Sequence, residues 1–130
     1  MPLVRIELVQ GRTDGEVRAL ADAVQEVMED VFAAPDGDRY QVITEHPPGR
    51  MILGDSGLGI DRDPDGVVLV QVLQQGRDAE QKTSLYTALA QRLEEKAGVR
   101  PQDLVVAVSL NGREDCSFGH GRAQFLTGEL

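Results

Sequence analysis

The sequence predicts an α/β fold: a tandem of two β-α-β units joined into one four-stranded sheet, with both helices on one face. Three observations predict it. The first is an internal repeat, since Gln10-Gly11-Arg12 recurs 65 residues on as Gln75-Gly76-Arg77, and Leu8, Leu20, Ala23 and Asp38 fall on Leu73, Leu85, Ala88 and Asp103. The second is that each half carries a strand pattern, a capped helix pattern and a second strand pattern. The third is length, because 130 residues suffice for one buried core and make one domain the expectation over residues 1–130.

The elements follow in order. Residues 3–9 alternate, with Val4, Ile6 and Leu8 on one face and Leu3, Arg5, Glu7 and Val9 on the other, which is the period of a strand. Gln10-Gly11-Arg12 breaks it, and Thr13-Asp14-Gly15-Glu16 has the spacing of a capping box. Val17, Leu20, Ala21, Val24, Val27, Met28, Val31 and Phe32 then form a helical apolar stripe, closed by Ala34-Pro35. Asp36-Gly37-Asp38 leads into a second strand around Tyr40 to Glu45. Residues 46–66, rich in Gly, Pro and Asp, connect the halves, and Met51-Ile52-Leu53 within them is a candidate strand at a sheet edge. Val67 to Leu73 and Leu104 to Val108 are apolar on both faces, the mark of strands covered on both sides. Between them Asp78-Ala79-Glu80-Gln81 repeats the cap spacing, and Leu85, Ala88, Leu89, Leu93 and Ala97 mark a helix stopped by Gly98. The pseudo-repeats thus cover about residues 2–45 and 67–110, and residues 111–130 form a tail of turns with one short apolar cluster. Strands within each unit should run parallel. Two helices cover one sheet face only, so the apolar residues of the other face predict a symmetric oligomer.

Composition narrows the partners. A net charge of −9, with no basic block, repels nucleic acid and anionic membranes, and the absence of Trp removes the usual base-stacking platform. No apolar run is long enough for a membrane span, none follows a basic leader, and the single Cys116 permits no internal disulfide, so the expected location is the cytoplasm.

The chain opens Met1-Pro2, and a methionine before a small residue is normally removed. Pro2 would then carry a secondary amine, able to exchange a proton or add to a carbonyl, unlike the tertiary amide of an internal proline. Arg77 follows a strand and precedes a helix, a region where anionic ligands collect in such units. Asp38 has two readings: a carboxylate that tunes Pro2, or a turn residue like its repeat mate Asp103. His46, His120 and the run Asp61, Asp63, Asp65 lack metal-ligand spacing, so no metal is expected, and both histidines are read as surface residues.

Pro2-Leu3, Glu7 to Asp14, Asp38-Arg39-Tyr40-Gln41, His46-Pro47-Pro48-Gly49, Asp55 to Gly59, Glu80-Gln81-Lys82 and Ser117 to Gly128 together resemble the tautomerase superfamily. Within it they are most similar to malonate semialdehyde decarboxylases. The resemblance implies a homotrimer that splits a small anionic oxo acid, malonate semialdehyde, into acetaldehyde and carbon dioxide without an organic cofactor. It implies that Pro2 is the catalytic proline, Asp38 its partner and Arg77 one of two arginines that hold the substrate, the proline of one unit being served by the arginine of the other. The position of the second arginine is Gln75, and Cys116 stands where the family has an aromatic residue, two residues before Phe118. Gln75, Arg77, Cys116 and Phe118 are therefore the expected substrate-binding set. Alternatives are a proline-dependent tautomerase or hydratase of another small carboxylate, or a catalytically silent trimeric binding protein if Met1 stays in place.

Overall fold

A computed structural model describes residues 2–130. Its elements are β1 (Leu3–Val9), α1 (Asp14–Asp30), β2 (Tyr40–His46), β3 (Val68–Gln74), α2 (Ala79–Ala97), β4 (Leu104–Leu110) and α3 (Gln124–Thr127), with 3₁₀ turns at Pro101–Asp103 and Arg113–Asp115. The expected removal of Met1 concerns a residue outside the described range.

Both helix starts are built as their sequences dictate. The Thr13 hydroxyl accepts from the Glu16 amide at 3.1 Å while the Glu16 carboxylate accepts from the Thr13 amide at 3.0 Å. Asp78 and Gln81 make the same reciprocal pair at 2.8 and 3.1 Å. These bonds satisfy amides that the first helical turn leaves without partners. α2 ends on Gly98 at φ 65°, a left-handed conformation that glycine adopts without a Cβ clash.

The sheet order is β2-β1-β3-β4, parallel within each unit and antiparallel between β1 and β3 at the centre. Val4, Ile6 and Leu8 of β1 and Val68, Val70 and Val72 of β3 are buried with Leu20, Val24, Val27 and Met28 of α1 and Leu85, Leu89 and Leu93 of α2. The opposite face carries Leu3, Val42, Leu69, Leu73 and Val105, none of them fully buried in the single chain.

Within the single chain the helices cover one face of β3 and β4, and β4 is an edge. The structure corrects three expectations. Met51-Ile52-Leu53 forms no strand, and Ile52 is 89% exposed. His46 is more than a surface residue, for its Nε2 lies 2.8 Å from a carboxylate oxygen of Glu7 on the uncovered sheet face. The repeat step of 65 residues holds for turns and helices but not for the inner strands: Leu8 lies in the core, whereas Leu73 faces away from it. Residues with even numbers face the helices in both β1 and β3. With the faces preserved, Pro2 corresponds to Val68 and Leu8 to Gln74, and an extra residue between Leu8 and Gly11 takes up the difference.

Candidate active site

The antiparallel centre decides which turn meets which terminus. Leu3 pairs with Leu73 on one side and Tyr40 on the other, so the start of β1 lies beside the end of β3 and the start of β2. Pro2, buried, is one residue beyond that pairing. Asp38, half-buried, lies two residues ahead of Tyr40 at the same end of the sheet. Arg77 follows the end of β3. Arg12 follows the far end of β1, about 23 Å away by strand rise alone.

Arg77 is held by backbone. Its Nε donates to the Phe32 carbonyl at 2.9 Å, Nη1 to the Gln75 carbonyl at 2.9 Å and Nη2 to the Ala33 carbonyl at 3.5 Å, and the guanidinium lies 5.4 Å from the centre of the Phe32 ring. These carbonyls belong to the chain leaving α1 and to the end of β3, where a cation is favoured by unpaired helix carbonyls. The clasp fixes the plane of the fork and leaves its remaining N–H groups for a ligand.

Arg77 and Gln75 line an open cleft of about 730 Å³ with Gln74, Asn111, Arg113 and Phe125. Asp38, Tyr40 and Phe118 line a neighbouring cavity of about 510 Å³, and Phe125 belongs to both. Phe118 packs between Tyr40, at 5.7 Å between ring centres, and Phe125, at 5.3 Å edge to face. This aromatic wall joins the Asp38 side of the site to the Arg77 side. Cys116 lies behind it, in a small cavity with Leu3, Leu73 and Asn111. Its sulfur accepts from Gln75 Nε2 and from Asn111 Nδ2, each at 3.4 Å. Gln75 is thereby tied to the loop after β4, and Cys116 does not line the Arg77 cleft.

Asp38 and Asp103 differ in surroundings despite their repeat relation. Asp103 is buried, accepts from Arg100 Nε at 2.9 Å and Nη2 at 3.1 Å, and takes the Asp63 amide at 2.8 Å. The hydrogen bond from Arg100 holds its carboxyl below the usual aspartate range, against the opposing effect of burial. Asp103 therefore pins the connector between the halves. Asp38 lies at a cavity, its amide bonded to the Pro35 carbonyl at 3.0 Å and its own carbonyl accepting from Gln25 Nε2 at 3.2 Å.

Sequence reading missed Arg113 and Phe125. Arg113 Nη2 donates to the Phe125 carbonyl at 3.0 Å, with its guanidinium 5.1 Å from the centre of that ring. Both come from the tail, which has no repeat mate. The one available signal was the Arg within Asn111-Gly112-Arg113, a polar turn directly after a strand.

Comparison with known proteins supplies the family. Two models described as tautomerase enzymes match residues 38–119 and 2–60. The chain is 43% identical over the whole of both chains to a probable tautomerase, YrdN, of Bacillus subtilis strain 168, and 32% identical over 97% of its length to another, YusQ, covering 99% of that protein. Among solved structures it is similar to a malonate semialdehyde decarboxylase at TM-score 0.93 and 44% identity, covering 98% of each chain. A second malonate semialdehyde decarboxylase, inhibited by 3-bromopropiolate, matches at TM-score 0.93 and 41% identity, over 98% of this chain and 97% of that one. The fold also matches a fused 4-OT symmetric trimer at TM-score 0.80 and 22% identity, over 97% and 98% of the two chains. The strand, cap and turn patterns, the central antiparallel junction beside Pro2 and these matches lead to one assignment: the chain belongs to the tautomerase superfamily.

Proposed function

We propose that the chain decarboxylates malonate semialdehyde to acetaldehyde and carbon dioxide, with Pro2 as the acid or iminium former, Asp38 as its partner and Arg77 holding the substrate carboxylate. The observation that carries this reading is the clasped Arg77 guanidinium at the cleft beside the Pro2 end of β1. Likeness to two malonate semialdehyde decarboxylase structures supports the substrate. Loss of carbon dioxide discharges the carboxylate, so pairing alone would favour the substrate over the transition state. Arg77 helps by orientation: a fixed fork turns the carboxylate out of the carbonyl plane, so that the breaking carbon–carbon bond overlaps the π system. The electron pair of that bond passes into the carbonyl, which a protonated Pro2 stabilises by hydrogen bonding or an iminium at Pro2 accepts more fully. Carbon dioxide leaves, and the former α-carbon takes a proton to give acetaldehyde, after hydrolysis in the iminium case. No metal or organic cofactor is required by this scheme. In this reading residues 1–130 act as one domain, and the apolar sheet face away from the helices is the contact of a homotrimer, an assembly reported for the fused 4-OT structure.

A second reading is hydration or tautomerisation of a related small carboxylate. The first decarboxylase structure is described as a basis for both decarboxylase and hydratase activities, and the Bacillus relatives are named probable tautomerases. The test is intact-mass spectrometry of the purified chain, followed by acetaldehyde release from malonate semialdehyde with and without borohydride. Loss of Met1 with acetaldehyde formed supports the proposal, and a borohydride-stable adduct on Pro2 selects the iminium route. Retention of Met1, or turnover of an enol or acetylenic acid with no acetaldehyde from malonate semialdehyde, overturns it.

A further inference from the structure

The cleft contains a buried acceptor without a donor. Gln74 is 2% exposed, and its Oε1 has no hydrogen-bond partner among the described residues. Its orientation is fixed. Nε2 donates to the Gln75 carbonyl at 3.3 Å, the same carbonyl that receives Arg77 Nη1, and turning the amide over would set oxygen against oxygen. The unpaired oxygen therefore points away from Gln75. A buried amide oxygen left so is costly, and in folded proteins the great majority find a partner.

The sheet identifies one. Leu3 with Leu73 is the last pair of the two strands, and one further step in the same register would set Pro2 opposite Gln74, both of them buried. The equivalent pair at the other end of the two strands is Leu8 opposite Val68, each 0% exposed. One corner is thus filled by two aliphatic side chains, while the other has an amide and a proline. With Met1 attached, the Pro2 nitrogen has no hydrogen. Once freed it has one as a neutral amine and two when protonated.

We propose that Gln74 is a positioning residue for Pro2: its Oε1 accepts a hydrogen bond from the freed amine, favours the protonated form and directs the remaining N–H into the Arg77 cleft. This rests on the proposed use of Pro2. The charged groups around this corner are Asp38 and Arg39 ahead of β2, Arg77 after β3, and Arg113 and Asp115 after β4. Arg39 is committed to Asp22 at 2.8 Å and to Gln41 at 2.9 Å, and all five remain in place in the variants below.

The experiment is a nitrogen NMR titration of Pro2 in ¹⁵N-proline-labelled protein, on wild type, Gln74→Met and Gln74→Glu, each checked for fold by circular dichroism. Gln74→Met keeps length and removes the acceptor, and it should lower the pKa of the Pro2 amine by about 1 pH unit, the effect of one hydrogen bond to a charged group. Gln74→Glu keeps an acceptor, adds charge and should raise it. The limb of the activity profile that reports Pro2 should move in parallel, which loss of packing alone would not produce. An unchanged Pro2 titration in folded Gln74→Met overturns the role of Gln74 and leaves the use of Pro2 standing. If Gln74→Met does not fold, an unchanged titration in Gln74→Glu overturns it equally. A wild-type chain with no titrating Pro2 amine overturns both.

Discussion

Replacing Arg77 by alanine should reduce both stability and turnover, and the two effects can be separated. The side chain makes two well-formed hydrogen bonds, to the Phe32 and Gln75 carbonyls at 2.9 Å each, and a long one to Ala33. Bonds from a charged donor contribute roughly 1.5–3 kcal/mol, and the low end applies because Arg77 is half-buried, so the loss is about 3 kcal/mol. For a chain of this size that lowers the melting temperature by roughly 10 °C. Turnover of malonate semialdehyde at a temperature where the variant remains folded should fall at least about tenfold, equivalent to 1.4 kcal/mol in the barrier. Arg77→Lys keeps the charge without the planar fork, so it should recover part of the stability and little of the turnover. Arg12→Ala, at the far end of β1, should leave turnover near wild type. Urea unfolding and acetaldehyde release measure the two effects independently. If Arg12→Ala were inactive and Arg77→Ala active, pairing of Pro2 with the second half would be wrong, and an unchanged stability of Arg77→Ala would refute the clasp.

Other consequences are accessible to standard assays. Light scattering at micromolar concentration should give the mass of three chains, and a stable monomer would remove the proposed role of the uncovered sheet face. Gln75→Arg should lower KM or raise turnover through a second charge-assisted bond worth roughly 1.5–3 kcal/mol, while Arg113→Ala should raise KM with a smaller effect on kcat. No kinetic change in either variant would separate those positions from the substrate. Asp103→Asn should lower the melting temperature at neutral pH. The folded carboxyl is held below its ordinary value, so its contribution is fully present above the unfolded pKa of about 4 and is lost as pH falls through the lower folded value. The difference between wild type and Asp103→Asn should therefore shrink on acidification below about pH 4, and a difference that grew there would contradict the Arg100 pairing.

The sequence by itself determined the four strands of the sheet, the two long helices and their order, because those depend on neighbours a few residues away. The capping boxes at Thr13 and Asp78, the stripe from Leu20 to Met28, the alternation of β1 and the glycine stop at residue 98 each state their geometry locally. Asp38 and Asp103 looked alike for the same reason, being two aspartates before two strands. Only the tertiary structure separated them, by bringing Arg100 and the Asp63 amide to one and a cavity to the other. The facing of β3 was likewise hidden, since a strand apolar on both faces does not reveal which side meets the helices, and the turn repeat was one residue out of step with it. The tail had no repeat mate to interpret Arg113 or Phe125. Which turn lies at the Pro2 end of the sheet was decided by the antiparallel join of β1 and β3, a contact between residues as far apart as Leu3 and Leu73. That join puts the end of β3, with Arg77 after it, at the start of β1 and leaves Arg12 at the far end, and no local pattern states a pairing between residues so distant in sequence.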